Sequence, residues 1–343
     1  TMNRFLQAMI LAMAAFAAMA QDASYVMVYH KDADHGLHMA VSRDSYNWRA
    51  LNNDKPIVDI TDVALQKGIR DPFIARSPDG TYVVAMTDLH VFAKREGLRD
   101  TDWERPKEQY EWGNNRGLVI LTSRDLIDWQ KHYINFTEIP GFENVGCVWA
   151  PELTWDDATG SFLMHFTTRF GRGRNQIYAA HLKKNGFELA ETPFLLFSAP
   201  CDENGSPKYN VIDSDIVRGD DGTWHFFYVS HEGTACIHHA TAKNLTGPYT
   251  ELGIVPDGEK RGHEAPNCWR RPDGTWVMMW DCYSRKPHNF GFVETRDFAT
   301  WQPIGYFDQG DGKMTRKGFA EQKHGSVLRV EPGTIEKLEE RYK

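Results

Sequence analysis

The sequence predicts an all-β protein folded as a five-bladed β-propeller, and two observations carry this prediction. After residue 20, no segment keeps the apolar spacing of an amphipathic helix over three turns. Short runs rich in aromatic and β-branched residues recur instead, each bounded by Gly, Pro, Asp or Asn. These runs also form a repeat, because a strand, a tight turn and a second strand return along the chain.

The first twenty residues stand apart from this pattern. Arg4 precedes an apolar run, Phe5–Ala20, which ends in the small residues Ala18-Met19-Ala20. A basic start, an apolar centre and a small-residue end are typical of a secretory signal peptide. We therefore expect residues 1–20 to be a signal peptide, residues 21–343 to form a single five-bladed β-propeller domain, and the protein to be secreted or periplasmic.

Composition excludes several other classes of protein. Aromatic residues make up 13% of the chain, which is too many apolar groups for a disordered protein. The formal net charge is −8 and no run of Lys and Arg exceeds two residues, so the concentrated positive face that a nucleic acid needs is missing. The apolar run at the start is shorter than the roughly 20 residues that cross a bilayer, so we expect no membrane span.

Each repeat is centred on a hairpin turn. Asp-Gly pairs at Asp79-Gly80, Asp221-Gly222 and Asp273-Gly274, and a glycine at Gly160, separate two alternating runs. The second strands expected after these turns are Tyr82–Thr87, Phe162–Thr167, Trp224–Ser230 and Trp276–Trp280. We interpret the acids of these turns as turn formers and nothing more.

A second recurring element, Ser/Thr-Arg-Asp followed by tryptophan, closes the units. Its aspartates are interpreted as turn formers and its tryptophans as packing between blades; the pairs are Asp44 with Trp48, Asp125 with Trp129 and Asp297 with Trp301. The first copy has no hairpin before it, and the last strand, Ser326–Val330, has no closing element after it. We therefore predict that the two ends of the chain share one blade, which pairs otherwise exposed strand edges.

Three acids precede their hairpin turns by nearly the same number of residues. Asp71 and Asp213 stand nine residues before the hairpin glycine, and Glu264 stands ten residues before its own. Because the innermost strand of each blade begins beside the central axis, we expect these carboxyls to meet at one mouth of the channel. Clustered buried anions are unfavourable unless a pKa shifts or a partner arrives, which favours a functional role. Asp215 is an alternative to Asp213, and the shared offset of nine favours Asp213.

The residues around these acids resemble glycoside hydrolase family 43. The similar segments occur in the family's order between about residues 24 and 330: Arg70-Asp71-Pro72-Phe73-Ile74, Trp149-Ala150-Pro151-Glu152, Val211-Ile212-Asp213, Glu264-Ala265-Pro266 and His324-Gly325-Ser326-Val327. No single motif is very specific, but the ordered set is. Members of this family are five-bladed propeller enzymes, many of them α-L-arabinofuranosidases, β-xylosidases or arabinanases. Ala265 departs from the glycine that the family often has there and leaves the acid in place.

The resemblance implies an inverting glycoside hydrolase that cleaves arabinosides or xylosides in plant-type polysaccharides or oligosaccharides. In this role Asp71 is the general base, Asp213 adjusts the pKa of its neighbours and orients them, and Glu264 is the general acid. The residue types fit the reaction, which needs one protonated carboxyl at the leaving oxygen and one carboxylate that activates water on the opposite face. Arg70 is expected to help keep Asp71 ionised and to contact the sugar.

Five further residues are weaker candidates for contact with the sugar. Trp149 begins a strand and is expected either to stack on a sugar face or to pack between blades. Glu152 is expected to bind sugar hydroxyls or to hold an arginine. Asp88, Tyr283 and Arg285 follow the second strands of their hairpins and are expected to line the pocket.

His324 resembles the family's fifth-blade histidine near the axis, which borders a bound cation or a water cluster in several relatives. It is therefore the one candidate for a metal contact, with calcium as the structural cation in the central channel, and a satisfied core histidine is its alternative. The resemblance implies no cofactor for the reaction, and a carbohydrate as the only partner.

Two other functions stay open. The related retaining fructosidases also carry Arg-Asp-Pro, but they need an Asn-Asp-Pro nucleophile near the start of the mature chain, which Val28–Asp32 does not supply. A carbohydrate-binding propeller without catalysis would have Glu264 or Asp71 turned away from the axis, or a plugged pocket. Long segments interrupt the repeat at Asp88–Gly117 and Ala199–Asn210 and are expected to be functional or mobile. Loops such as Asp88–Gly117 are expected to decide the sugar specificity.

Overall fold

The computed structural model describes residues 23–255, 262–309 and 313–343. Its strands form five sheets, and the five-bladed β-propeller predicted from the sequence is confirmed. The predicted signal peptide, residues 1–20, lies outside the described residues. Within the described ranges, no helix has both the length and the apolar character needed to cross a bilayer.

Four blades are antiparallel sheets of four strands that follow one another along the chain. Blade 1 contains β4 (Ile69–Arg76), β5 (Tyr82–Asp88), β6 (Gly117–Ser123) and β7 (Gln130–Asn135). Blade 2 contains β8 (Val145–Asp156), β9 (Ser161–Phe170), β10 (Gln176–His181) and β11 (Phe194–Phe197). Blade 3 contains β12 (Val211–Arg218), β13 (Trp224–Ser230), β14 (Cys236–Ala242) and β15 (Thr250–Ile254). Blade 4 contains β16 (His263–Arg270), β17 (Trp276–Cys282), β18 (Asn289–Thr295) and β19 (Gln302–Tyr306).

Blade 5 joins the two ends of the chain, as predicted. Its strands, from the axis outward, are β21 (Gln322–Val330), β1 (Ser24–Lys31), β2 (His38–Ser42), β3 (Asn47–Ala50) and β20 (Thr315–Lys317). The pairing of β21 with β1 is antiparallel and runs the full length of β1, so the ring closes through a ladder of backbone hydrogen bonds. The described residues also form two short α-helices, α1 (Lys107–Tyr110) and α2 (Thr334–Arg341), and two 3₁₀ helices, Asn52–Asp54 and Phe136–Glu138.

The turns of the blades form for the local reasons expected from the sequence. Gly80, Gly222 and Gly274 have φ of 90°, 84° and 83°, values that glycine adopts without steric cost. The aspartate before each of these glycines accepts the backbone N–H two residues after it. In the closing elements Asp44, Asp125 and Asp297 likewise accept the N–H groups two and three residues on. These acids are turn formers, as predicted.

Aromatic side chains of the closing elements pack between blades. Trp48 of blade 5 is buried and meets Trp269 of blade 4 edge to face, with ring centroids 6.4 Å apart. Trp301 of blade 4 meets Phe227 of blade 3 in the same way at 5.8 Å. Edge-to-face pairs are favourable beyond their buried area, so these contacts hold neighbouring blades at a fixed angle.

The innermost strands β4, β8, β12, β16 and β21 surround the central axis, and each contacts the next around the ring. Each of them carries a β-bulge with one extra residue relative to its partner strand, and β8 has a second such bulge closer to its start. At the bulge of every blade stands a non-glycine residue with left-handed φ between 41° and 56°. We call these five the hub residues: Asp71, Ala150, Asp213, Ala265 and His324.

The strain of the hub residues is supported by hydrogen bonds from one blade to the next. The backbone N–H of a hub residue donates to a side chain on the second strand of the preceding blade. The donor–acceptor pairs are Asp71 to His30, Ala150 to Thr87, Asp213 to Thr167 and His324 to Asp281, at 2.8–3.1 Å. Val229 holds the corresponding place in blade 3 and offers no acceptor, so Ala265 N–H donates to the carboxylate of Asp213 at 3.2 Å instead.

A second polar layer lies two residues further along the innermost strands. Ser326, Asp215 and Asn267 each accept the backbone N–H of a residue in the following blade, at 2.8, 2.5 and 2.9 Å. These groups are buried, and an unpaired buried N–H would be strongly unfavourable. The two layers therefore fasten the five innermost strands to each other around the axis.

Glu152 belongs to this second layer and pairs with Asp215. Both carboxyl groups are buried, and the two side chains are hydrogen-bonded to each other. Burial, followed by the charge of Asp215, raises the pKa of Glu152 well above its usual range, and burial raises the pKa of Asp215 to about 7. Protonated Glu152 thus donates to Asp215, and the pair bridges blades 2 and 3.

This pair predicts how stability depends on pH. The folded chain keeps protons that the unfolded chain releases above pH 4–5, so the free energy of unfolding should decrease as pH rises through about 7. Glu152→Gln keeps an N–H donor for Asp215 but removes one titrating group. We expect its free energy of unfolding to fall less than that of the wild type between pH 5 and pH 8, measured by urea unfolding.

The exposed Glu203 supplies the control for this measurement. Glu203→Gln removes one negative charge from a surface loop and should leave the pH dependence of unfolding as in the wild type. The same decline between pH 5 and pH 8 in Glu152→Gln and in the wild type would show that the buried pair does not titrate as described.

Candidate active site

A cavity of about 1090 Å³ opens at the end of the propeller where the hub residues lie. Its lining includes all three acids singled out in the sequence, Asp71, Asp213 and Glu264. Four of the other expected site residues also line it: Arg70, Trp149, Tyr283 and His324. The propeller therefore brings side chains from all five blades to one concave site.

Asp71 is held as a carboxylate. One of its oxygens accepts a hydrogen bond from Thr87 Oγ1 at 2.8 Å, and the other lies 3.2 Å from Nδ1 of His324. Burial opposes ionisation, but His324 and then Arg70 outweigh it and hold the pKa of Asp71 well below its usual range. Arg70 is itself fixed by an ion pair of 2.5 Å with Asp32. Asp71 is therefore ionised and oriented throughout the ordinary pH range.

His324 is the cation of the site. Burial alone would lower the pKa of its imidazole, but Asp71, Asp213 and Glu264 together raise it to about 9. The backbone of the same residue is fixed by its N–H bond to Asp281. A protonated His324 at the axis neutralises part of the negative charge that the three acids bring together.

Glu264 is held as a neutral acid. Burial, followed by the charges of Asp281 and Asp213, raises its pKa to about 8. Burial also raises the pKa of Asp213, which His324 moderates to about 6. Glu264 directly precedes the hub residue Ala265, so it occupies the position of Arg70 in blade 1 and not that of Asp71. This explains its offset of ten from the hairpin glycine, against nine for Asp71 and Asp213.

The calcium ion that the sequence suggested for the central channel stays a prediction. Among the described residues, no group of three or more His, Cys, Asp or Glu side chains is arranged to hold a metal ion. Nδ1 of His324 faces the Asp71 carboxylate at 3.2 Å, so this nitrogen is engaged with the acid. In this structure His324 is the partner of the Asp71 carboxylate.

Trp149 forms one wall of the cavity beside the acids. Its indole N–H donates to the carbonyl of Gly113 at 2.8 Å, and the guanidinium of Arg169 lies 4.7 Å from the ring centroid. Trp112 packs against it edge to face, with centroids 5.8 Å apart. The indole of Trp149 is thus fixed by the loop after β5 and still borders the cavity.

Three expected contacts with the sugar are not supported by the structure. Asp88 is fully buried and does not line the cavity. Gln66 N–H and Tyr133 O–H donate to its carboxyl group, so the side chain points toward β7 and not toward the axis. Glu152 is only 2% exposed and faces Asp215 in the second polar layer, since it lies two residues beyond the hub residue of its strand.

Arg285 also lies away from the cavity. Its guanidinium stacks 3.9 Å from the centroid of the Tyr306 ring and donates to Gln309 at 2.8 Å, on the outer side of blade 4. Tyr283, two residues earlier, is 39% exposed and does line the cavity. The turn after β17 therefore brings one of the two expected residues to the site and places the other outside it.

Sequence reasoning missed two residues that shape the wall. Trp112 is 49% exposed and lines the cavity from the long segment after β5. Arg169 is buried and donates to the carbonyls of Tyr110 and Trp112 at 2.8 and 2.7 Å, which fixes the end of α1. Neither stands in a repeat, so the only available signal was the tryptophan content of that segment.

The walls of the cavity are unequal around the axis. Most of the lining beyond the hub comes from three segments: residues 111–112 after β5, residues 170–176 after β9 and residues 202–210 before β12. Blade 4 contributes Glu264 and Tyr283, and blade 5 contributes His324. Both long segments named in the sequence analysis, Asp88–Gly117 and Ala199–Asn210, reach the cavity.

Comparison with known proteins shows the family of this chain. Residues 21–336 match the family model described as "Probable glycosyl hydrolase domain", the family 43-related type. The curated alpha-L-arabinofuranosidase of Bifidobacterium longum is 26% identical over 266 residues, which are 69% of this chain and 23% of that protein. The chain thus spans about a quarter of the length of this relative.

Solved structures show the same fold at low identity. The endo-1,4-beta-xylanase of Bacteroides thetaiotaomicron has a TM-score of 0.58 at 14% identity, covering 86% of this chain and 93% of that one. The endo-arabinase of the same organism has a TM-score of 0.56 at 16% identity, covering 86% and 96%. The alpha-L-arabinanase of Cellvibrio cellulosa has a TM-score of 0.55 at 13% identity, covering 86% and 95%. With the family model matched over nearly the whole described chain, the protein belongs to the glycosyl hydrolases related to family 43.

Proposed function

We propose that this protein hydrolyses glycosidic bonds between arabinose or xylose units of plant-type polysaccharides or oligosaccharides, with inversion at the anomeric carbon. The observation that carries the proposal is the opposite proton state of two carboxyl groups in one cavity. Asp71 is held ionised by His324 and Arg70, whereas Glu264 is held protonated by burial and by neighbouring acids. One cavity therefore offers a base and an acid at the same pH.

These two groups supply the proton transfers of the reaction. Glu264 donates its proton to the glycosidic oxygen as the bond from that oxygen to the anomeric carbon breaks. Asp71 accepts a proton from a water molecule whose oxygen forms the new bond to the anomeric carbon from the opposite face. Asp213 accepts the N–H of Ala265 and so fixes the backbone directly after Glu264.

The relatives support the sugar class. The curated relative is an alpha-L-arabinofuranosidase, and the similar structures are an endo-1,4-beta-xylanase and arabinan-cleaving enzymes. The cavity of about 1090 Å³ is larger than a single pentose needs, and aromatic side chains form parts of its wall. Both features suit a chain of sugars more than an isolated one.

The alternatives named from the sequence receive less support. Asp71 and Glu264 both border an open cavity, in contrast to the turned-away acid or plugged pocket of a propeller without catalysis. A retaining fructosidase would need a nucleophile from the end of β1. The acid there, Asp32, is paired with Arg70 and Lys323 and is not part of the cavity lining.

The two proposed roles predict different responses to the leaving group. On an aryl pentoside with a poor leaving group, Asp71→Asn and Glu264→Gln should each lower kcat by about 10²–10⁴-fold. On a dinitrophenyl pentoside, which needs no proton to depart, Glu264→Gln should regain most of the wild-type rate while Asp71→Asn stays inactive. Steady-state kinetics measure both rates, and NMR of the first product anomer should show inversion.

Asp79→Asn serves as the control for these variants, because Asp79 forms the hairpin turn of the blade that carries Asp71. Its kinetics should equal those of the wild type, and circular dichroism should show that all three variants are folded. Near-wild-type hydrolysis of the poor substrate by either active-site variant contradicts the assignment, and a first product of retained configuration contradicts inversion.

The proton states also predict the pH profile. Since Glu264 must be protonated and its pKa is raised to about 8, kcat/KM should fall tenfold per pH unit above about pH 8. Asp71 stays ionised far into the acid range, so it should impose no decline near neutral pH. The alkaline decline should be absent on the dinitrophenyl substrate. A rate that increases through pH 8 on the poor substrate would exclude Glu264 as the acid.

The exposed Trp112 predicts a dependence on chain length. Aromatic rings bind the apolar faces of sugars. Trp112 lines the cavity from the long segment after β5, whereas the acids lie on the innermost strands. Trp112→Ala should raise KM for arabino- or xylo-oligosaccharides of four or more units about tenfold, or about 1.4 kcal/mol, and leave aryl pentosides unaffected. Leu98→Ala, which changes an exposed apolar residue of the same segment outside the cavity, is the control. An equal effect of Trp112→Ala on both substrate sizes would contradict this role.

A further inference from the structure

One of the side chains that support the hub residues differs from the others in charge. The position lies on the second strand of each blade, opposite the residue before the bulge. Its occupants in blades 1 to 5 are Thr87, Thr167, Val229, Asp281 and His30. Only blade 4, which carries Glu264, has an acid at this place. Hydroxyls in blades 1 and 2 make the same bond to the next backbone N–H, so the fold alone does not require a carboxylate here.

Asp281 uses both of its oxygens inside the protein. Oδ2 accepts the backbone N–H of His324 at 3.0 Å, and Oδ1 is hydrogen-bonded to Nε2 of His288. The side chain is only 1% exposed and does not line the cavity. It therefore does not touch a bound sugar, and any effect on the reaction must pass through its neighbours.

Those neighbours are the proposed acid and the partner of the proposed base. Asp281 is paired directly with Glu264 across β16 and β17, and its charge is the largest single-residue contribution to the raised pKa of Glu264 after burial. Through its bond to the backbone of His324 it also fixes the residue whose Nδ1 faces Asp71. One carboxylate thus lies beside the proposed acid and also holds the residue that faces the proposed base.

Other charges also act on Glu264 and must be included. Asp213 raises its pKa, whereas Lys323 and His324 lower it. Tyr283 and Arg70 also interact with it through their charges. Among the described residues, the ring of His288, from the turn after β17, is paired directly with Asp281. Among these groups, Asp281 is the acid that pairs with Glu264 across the strands and does not line the cavity.

We propose that Asp281 is a positioning residue for both catalytic groups: it fixes His324 beside Asp71, and its negative charge keeps the proton on Glu264. The proposal rests on the roles proposed above for Asp71 and Glu264. The hydrogen bond to the next backbone N–H recurs in other blades and serves the fold. The negative charge occurs at this position only in blade 4 and serves the chemistry of the site.

The charge is tested with variants that keep the hydrogen bond. Asp281→Asn is isosteric, and Asp281→Thr installs the residue that blades 1 and 2 already carry at this position. Each keeps an acceptor for the His324 N–H and removes the charge. In both variants the alkaline limb of kcat/KM and the titration of the Glu264 carboxyl should move about one pH unit lower. The titration is followed by ¹³C NMR of labelled glutamate, with the Glu264→Gln spectrum identifying the signal.

The hydrogen bond is tested separately with Asp281→Val. Valine has the shape of threonine, and it is the residue that blade 3 carries at this position. Compared with Asp281→Thr, it should lower kcat at pH 5.5 at least tenfold, because the His324 backbone loses its acceptor. Asp273→Asn is the control for net charge, since it removes an acid from the hairpin turn of the same blade. It should leave both the pH profile and the Glu264 titration unchanged.

The outcomes separate this inference from the proposed function. A Glu264 titration that is equal in the wild type, Asp281→Asn and Asp281→Thr would overturn the role of the charge. Equal kcat in Asp281→Thr and Asp281→Val at pH 5.5 would overturn the positioning of His324. If the wild type hydrolyses no pentoside, the proposed function fails, while the NMR titration still decides whether Asp281 controls the proton on Glu264.

Discussion

The left-handed backbone at the start of each innermost strand is the constraint on which this site depends. A non-glycine residue pays about 1 kcal/mol or more for this conformation, and the chain repeats it in all five blades. The bulge turns the hub side chain toward the axis, and a hydrogen bond from the preceding blade holds it there. Because each blade supports the next, the direction of Asp71 or Asp213 is set by the closed ring and not by its own strand.

The chemistry follows from how the ring distributes charge. Three buried acids near one axis could not all be ionised without large repulsion. The site resolves this by giving Asp71 the cation His324 and the neighbouring Arg70, and by leaving Glu264 among other acids. Burial acts on both carboxyls in the same direction, so it is the neighbours that separate their proton states. A base and an acid therefore arise from similar residues in similar blades.

The sequence was sufficient for features that repeat and insufficient for features that occur once. Hairpin glycines, turn-forming acids and the closure of blade 5 could be predicted because each repeats or completes a local rule. The offset of nine placed Asp71 and Asp213 on the axis, where the structure has them. Asp88 was expected at the sugar from its place after a second strand, and Glu152 from its residue type. The direction of each side chain depends on strand pairing that the sequence does not reveal. Trp112 depends on the clamp by Arg169, a contact between distant segments.

The spacing of two residues along the innermost strands divides the axis into two layers with separate tasks. The hub layer opens to the cavity and, together with the residues directly before it, carries the groups with opposite proton states. The layer below it, with Glu152, Asp215, Asn267 and Ser326, is buried and bonds blade to blade. A carboxyl therefore serves chemistry or cohesion according to which layer it occupies. Asp213 and Asp215 illustrate this on a single strand, since two residues of separation move the same functional group from the cavity to the interior of the ring.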